Sequence, residues 1–291
     1  MINFMKFNWL YFGLSGGLVL VSILSLSIWR VRPSIDFIGG ALLEVKFSDG
    51  GEVAQIQNAV GSVDGVDLYS VVYSGDSSSF ILRTNSINEA KKNEIISNLN
   101  LNISETEEIR FETVGPTLGK ELLIKTLVAM IIASVLIMLY VTYQFKDRIY
   151  GLAAILAMFH DTLILIGAFS LFGHFLNVEI DTLFVTAVLT TLSFSVHDTI
   201  VVFDRIRETL KQFPGAKFVD VINKAITETL QRSLNNSMTI IFMLTALALL
   251  GGITIKWFVV ALLIGTVLGT YSSPFVAVPI LLILMKKIRK Q

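Results

Sequence analysis

The stretch "SVHDTIVVFDRIRE", residues 195–208, decides how the chain folds. It begins as an apolar, β-branched run and ends in alternating charge. One carboxylate, Asp198, lies inside the apolar part, directly after His197. Ionisable side chains inside a membrane span are costly, so a carboxylate in such a place is a candidate functional group.

The composition is that of a membrane protein. Of 291 residues, 53% are hydrophobic and 16% are charged, and the mean hydropathy is +0.70. Soluble domains carry about 25% charged residues. The chain has no Cys, which excludes disulfides. Residues 30–121 carry 8 Lys/Arg and 14 Asp/Glu, whereas the remainder carries 15 and 9. This uneven charge predicts that the two parts lie in different compartments.

Six stretches are long enough to cross the hydrocarbon core, which takes about 20 apolar residues. We therefore predict an α-helical polytopic membrane protein with six transmembrane helices. The first stretch runs into Arg30 and lacks a small-x-small cleavage site, so we interpret it as an uncleaved helix rather than a signal peptide. The predicted spans are 9–29, 122–143, 150–172, 182–203, 233–252 and 257–284.

The distribution of Lys and Arg predicts the orientation, because cytoplasmic loops are enriched in these residues. On the opposite side, the short segments 173–181 and 251–256 together contain a single Lys or Arg residue, Lys256. Both termini are therefore predicted to be cytoplasmic. The predicted cytoplasmic cations are Lys6, Lys146, Arg148, Arg205, Arg207, Lys211, Lys217, Lys224, Lys286, Lys287, Arg289 and Lys290.

The sequence divides into a membrane part and one outer domain. Residues 1–30 form the cytoplasmic N-terminus and first helix, 31–121 an extracytoplasmic α+β domain, 122–285 a five-helix bundle, and 286–291 a basic cytoplasmic tail. Strand-like and helical periods alternate in the outer domain as β-α-β-β-α-β, with "SGDS" as a hairpin turn. That order is typical of a ferredoxin-like fold. It predicts a small interaction domain without catalytic machinery.

Three further segments carry structural signals. "SIDFIGG", residues 34–40, contains Asp36 and the pair Gly39–Gly40, which permits positive φ and close backbone approach. The cytoplasmic loop 204–232 has apolar residues at helical spacing, which predicts an amphipathic helix on the inner membrane surface. Gly265 and Gly269 are four residues apart, a spacing that lets helices approach closely, and we expect this face to contact a partner.

Polar residues interrupt three of the predicted spans. His160–Asp161 and His197–Asp198 are two His-Asp pairs, followed by Thr199, and Arg232 and Asn235 lie at the start of the fifth span. Adjacent helical residues point about 100° apart, which disfavours a metal site on either pair. A serine-hydrolase motif is also missing. We expect no metal, no cofactor and no enzymatic activity.

Asp198 and Arg232 are predicted to lie at similar depth, because a cytoplasmic loop joins their antiparallel spans. A carboxylate beside a guanidinium stays ionised, whereas the same carboxylate in apolar surroundings takes a proton. The two residues therefore suggest a proton-coupled switch. A static buried ion pair that joins two helices is the alternative, although such pairs contribute little net stability.

At these residues the sequence resembles the SecF family of protein-export membrane subunits, within the resistance-nodulation-division superfamily. The resemblance covers essentially the whole chain, and the segment 193–209 around the fourth span is its most specific part. The matching motifs are "SIDFIGG", "VGPTLGKEL", "HDTLILIGAFSLF", "SFSVHDTIVVFDRIRET", "TETLQRSLNNSMT" and "GTYSSPFVAVPILLIL".

The resemblance implies a function beyond what the residues alone indicate. Members of this family work with SecD and the SecYEG channel and use the proton gradient to promote late steps of export of preproteins. It implies that Asp198 and Arg232 form the proton relay, with His197 where the family has Asn. It also implies a location in the bacterial inner membrane, contact with lipid and no nucleic-acid partner. A proton-coupled exporter of small molecules or lipids is the alternative, and the small outer domain argues against it.

Overall fold

A computed structural model describes residues 3–74, 78–145 and 147–288. The chain separates into two compact units. The membrane unit comprises Met1–Arg32 and Ala129–Gln291, and the sheet unit comprises Pro33–Val128. The turn residues 75–77 of the predicted hairpin, Lys146, and residues 289–291 of the predicted tail lie outside the described residues.

The element order matches the predicted alternation of spans and outer segments. Within the described residues, six helical segments are long and apolar enough to cross a membrane, as predicted. In chain order the elements are α1 (Asn8–Ile28), α2 (Ile35–Ile38), β1 (Gly40–Phe47), α3 (Val53–Gly61), β2 (Leu68–Tyr73), β3 (Ser79–Thr84), α4 (Glu89–Asn102), β4 (Thr106–Val114), α5 (Pro116–Phe145), α6 (Arg148–Leu176), α7 (Thr182–Gln212), α8 (Phe218–Leu250), α9 (Ile253–Ser272), a π-helix (Ser273–Ala277) and α10 (Val278–Ile288).

The sheet unit contains four antiparallel strands in the order β2-β3-β1-β4. On β1 the alternating residues Ala41, Leu43, Val45 and Phe47 are buried, as their period of two predicts. They pack with apolar residues of β3, α3 and α4 in one core. Lys92 joins α4 to β4 through ion pairs with Glu89 and Glu108, and these carboxylates raise the pKa of its ammonium group.

The glycine pair of "SIDFIGG" makes the turn from α2 into β1. Gly39 has φ +78° and Gly40 has φ +140°, values that L side chains rarely adopt. A Cβ on Gly39 would lie 2.6 Å from the Pro116 Cα atom. Ser34 caps α2 by accepting a hydrogen bond from the Asp36 backbone N–H. The expected need for positive φ and close approach is thus confirmed.

In the membrane unit, α6, α7 and the α9–α10 segment form the centre. About half of the residues in their most apolar windows are buried inside the chain, whereas the corresponding window of α5 contains none among the described residues. The segment from α9 to α10 is interrupted at Ser273–Ala277. Pro274 has no N–H for a helical hydrogen bond, and the chain widens there into the π-helix.

Small residues set the distance between α7 and α9. A Cβ on Gly265 would collide with Thr191, and one on Gly269 would lie 3.1 Å from the Ser195 Cα atom. The expectation of close approach at these glycines is therefore confirmed. The expectation that this face contacts a partner is wrong, because α7 of the same chain occupies it.

The interpretation of residues 209–231 as a helix on the membrane surface is also wrong. Both spans simply continue, α7 to Gln212 and α8 from Phe218. The apolar face that includes Ile222 and Ile226 is buried in the core of the membrane unit. Asn223, on the same stretch, accepts a hydrogen bond from the Met5 backbone N–H at 3.1 Å. The amphipathic pattern reflects packing on α7 and the N-terminal segment rather than on lipid.

We expect Gly265→Ala to lower the thermal stability of the detergent-solubilised chain. The added methyl group must displace Thr191, and overpacking of this kind costs about 1–3 kcal/mol. Gly16→Ala on α1 is the matched control, because a Cβ there meets nothing within 4 Å. Equal melting temperatures for the two variants would contradict the packing described for α7 and α9.

Candidate functional site

Asp161 lies at the centre of a hydrogen-bonded cluster that joins three helices. Its Oδ2 atom accepts from the Ser195 hydroxyl of α7 at 2.6 Å and from the Ser272 hydroxyl of α9 at 2.5 Å. Its Oδ1 atom lies 2.9 Å from Nδ1 of His160. The residue is only 6% exposed, so these donors replace water around the carboxylate.

Asp198 makes a second, separate contact between helices. Its Oδ2 atom accepts a hydrogen bond from the Ser233 hydroxyl of α8 at 2.8 Å. Asp198 is buried, and by its residue count it lies about 24 Å along α7 from Thr182, well inside the span. Because this contact is a hydrogen bond from a hydroxyl group, protonation of the carboxylate breaks no ion pair there.

The expected contact between Asp198 and Arg232 is absent. Within residues 3–74, 78–145 and 147–288 no ion pair joins them, and the Arg232 side chain is exposed on α8. The reason is helical geometry. Ser233 faces α7, and its neighbour on the helix is rotated by about 100°, so Arg232 faces away from Asp198.

The remaining predicted polar residues fall into two groups. Thr199 is buried, and its hydroxyl lies 3.0 Å from the Ser273 hydroxyl at the start of the π-helix. His197 and Asn235 are exposed, each on the outer side of its helix. Among the described residues no three His, Asp or Glu side chains come together in a way that could hold a metal ion.

Sequence reasoning missed the hydroxyl groups that contact the two carboxylates. The number of residues between each of these side chains and the nearest turn could have identified the pairs. Asp161 and Ser195 lie about 15 residues before and after the short turn between α6 and α7, and Asp198 and Ser233 are equally distant from the turn between α7 and α8. Counting residues at about 1.5 Å each would have placed each pair at the same depth.

Comparison with known proteins identifies the family. The model of the family "Protein export membrane protein SecD/SecF, C-terminal" matches residues 95–287. A SecF protein translocase subunit from Anaerolinea thermophila is 36% identical over 294 residues, which cover 97% of this chain and 94% of that protein. The chain belongs to the SecF family. It is accordingly a multi-pass membrane protein, consistent with its six apolar helices.

Two further comparisons agree with this membership. The SecF subunit from Synechocystis is 37% identical over 276 residues, covering 89% of this chain and 87% of that subunit. The crystal structure of SecDF from Thermus thermophilus, described as a translocon-associated membrane protein, matches with a TM-score of 0.85 at 29% identity. The match covers 98% of this SecF-family chain but only 39% of the SecDF chain, so most of that protein has no counterpart here.

We expect Ser195→Ala to destabilise the membrane unit of this SecF-family chain. The substitution removes one of three donors from the buried Asp161 carboxylate, and a hydrogen bond to a charged group contributes about 1.5–3 kcal/mol. Ser193→Ala, at an exposed position on the same helix, is the control. Thermal unfolding in detergent should separate the two variants, and unfolding temperatures that coincide would rule out a structural contribution from this bond.

Proposed function

We propose that this chain is an accessory subunit of the Sec translocase which, together with a SecD-like protein, uses the proton gradient to promote late steps of preprotein export. Membership of the SecF family supports the assignment to protein export. The observation that carries the proton-driven part is the buried Asp198 carboxylate inside a membrane span, held by one hydroxyl donor.

Asp198 is suited to a proton cycle. Protonation removes a charge from an apolar environment, and Ser233 can either donate to the carboxylate or accept from the carboxylic acid. Moving one charge through about 100 mV yields about 2.3 kcal/mol. That free energy shifts a two-state helix rearrangement by well over tenfold. The proton cycle at Asp198 is therefore sufficient to bias movement of α7 against α8.

The exposed polar residues of α8 support the presence of a protein partner on this helix. Arg232, Asn235 and Asn236 are all exposed on this helix, at its entry into the apolar span. A guanidinium and two amides are unstable against lipid and are normally covered by other protein. A SecD-like chain that brings a carboxylate to Arg232 would satisfy this surface. The solved SecDF, which carries much sequence beyond the part matched here, is consistent with such a complement.

We assign the sheet unit to the extracytoplasmic side and to the ferredoxin-like fold. Its β-α-β-β-α-β order and the spatial order β2-β3-β1-β4 support the fold. The excess of Lys and Arg in the segments around residues 146–148 and 204–232 supports cytoplasmic termini. SecYEG, preproteins and lipid are the remaining proposed contacts. The comparisons give no support to the alternative of a small-molecule or lipid exporter.

Asp198→Asn should abolish stimulation of export by the proton gradient, because the amide mimics the protonated acid and cannot release a proton. The measurement is preprotein translocation into vesicles that contain the variant, a SecD-like partner and the channel, with and without a gradient. Membrane accumulation should stay near normal, since no buried cation is left unpaired within the part of the chain that the structure describes.

Two controls sharpen this experiment. Asp204→Asn on the same helix changes a carboxylate that pairs with Arg207 at 3.1 Å near the end of α7, and it should leave gradient stimulation intact. Vesicles that lack the SecD-like partner should show no stimulation with either chain. If Asp198→Asn accumulates normally in the membrane and export is still fully stimulated by the gradient, the proposal of a proton relay at this residue is refuted.

Reporter fusions test the orientation. A fusion after residue 80 should be active only outside the cytoplasm, and fusions after residues 147, 215 and 291 only inside, because the short segments at 147 and 215 are rich in Lys and Arg. Paired reporters that are each active in one compartment provide the readout. A cytoplasmic result at residue 80 would overturn the proposed placement of the sheet unit.

A further inference from the structure

We propose that His160 and Asp161 form a second proton-binding site in the membrane unit, separate from Asp198. The starting observation is the imidazole ring of His160. Its Nδ1 atom lies 2.9 Å from Asp161 Oδ1, while its Nε2 atom is buried and has no hydrogen-bond partner among the described residues. The side chain is 10% exposed, so solvent does not compensate that nitrogen.

The contacts of Asp161 fix the tautomer of a neutral His160. A carboxylate only accepts hydrogen bonds, so the ring nitrogen that faces it must carry the proton. Nε2 is then an unprotonated acceptor in a buried position. A proton bound at Nε2 converts the ring to an imidazolium beside a carboxylate, and this ion pair stabilises the protonated ring.

The proton can also move on to Asp161 with every atom accounted for. A proton binds at Nε2, and the Nδ1 proton passes along the 2.9 Å contact to Oδ1, which leaves a neutral imidazole and a carboxylic acid. The hydroxyl of Ser272, which donates to Oδ2, has a second acceptor in the Gly269 carbonyl at 3.4 Å. The Ser272 hydroxyl therefore keeps a hydrogen-bond acceptor in both protonation states of Asp161.

Hydroxyl groups, rather than charged groups, surround this pair from the other helices. Ser195 and Ser272 are the donors from α7 and α9. Asp198 is bonded to Ser233, and the Tyr271 hydroxyl bonds to the Tyr11 carbonyl of α1 at 3.3 Å. Among the described side chains, the other titratable groups on the helices that pack against α6 are Tyr11, the exposed His197 and, toward the helix ends, Asp204, Arg205, Arg207, Glu208, Lys211, Lys256 and Lys286.

Binding of a proton at this site would act on the junction between α9 and the π-helix. Ser272 is the last residue of α9, and Ser273 begins the π-helix, where it contacts Thr199 of α7. A change in the charge of Asp161 therefore alters the hydrogen bonds on both α7 and the end of α9. This role in export rests on the proposed function, whereas proton binding itself does not.

Nitrogen NMR of the unmodified full chain in lipid nanodiscs tests the proposal. Selective nitrogen-15 labelling reports on 3 histidines, and the signals lost in His160→Gln belong to His160. At about pH 8, above the ordinary His pKa of about 6.5, the proton should be on Nδ1 and Nε2 should be unprotonated. Acidification should then shift the Nε2 signal to that of a protonated nitrogen. Asp161→Asn should shift the Nδ1 signal, and Asp198→Asn should not.

Three results would overturn the second site. The first is a proton on Nε2 at about pH 8, and the second is an Nε2 signal that does not change down to about pH 4. The third is an Nδ1 signal that stays at the same position in Asp161→Asn. Because Asp161→Asn also perturbs packing, the tautomer of the unsubstituted chain is decisive. The export assay tests a separate claim. Undiminished gradient stimulation in Asp198→Asn would refute the proposed function and leave the NMR result unaffected.

Discussion

The cost of placing a carboxylate in hydrocarbon governs the arrangement of the membrane unit. Asp161 is 6% exposed and Asp198 is 5% exposed, so other helices must bring hydrogen-bond donors to them. Those donors are serines, which have short side chains and reach the carboxylates only if the backbones approach closely. Gly265 and Gly269 let α7 and α9 pack closely, so Ser195 of α7 and Ser272 of α9 can both reach Oδ2 of Asp161. The small-residue face and the polar cluster are thus two parts of one constraint.

The choice of hydroxyl donors has a consequence for chemistry. An arginine beside a buried carboxylate stabilises only the ionised form and resists protonation. A serine hydroxyl can donate to the ionised form and accept from the acid, with nothing more than a rotation about its C–O bond. Ser233 at Asp198 and Ser272 at Asp161 therefore leave both protonation states available. The exposed Arg232 is kept out of this contact by its position one residue from Ser233.

The sequence predicts much of this fold because the membrane constrains it so strongly. Span length and hydropathy predicted six helices, and the alternation in β1 predicted its buried face. The direction in which a single residue faces was harder to predict, because it depends on which side of its helix the neighbouring helices occupy. Arg232 and Ser233 are adjacent in sequence, and only packing decides which of them faces α7. The apolar pattern that includes Ile222 and Ile226 was likewise interpreted as a face on lipid, whereas other parts of the same chain cover it.

The distribution of polar groups also determines how such a unit can recognise a partner in lipid. Lipid tails are as apolar as leucine side chains, so the exposed apolar residues of α5 provide little drive for association with another helix bundle. The exposed polar groups of α8 differ, because each one left against lipid is unfavourable and each one covered by a complementary group is satisfied. A guanidinium demands a carboxylate in a defined geometry, which a point charge such as ammonium does not. In the proposed complex, Arg232 therefore contributes more to the choice and register of the partner than any apolar residue on the same surface.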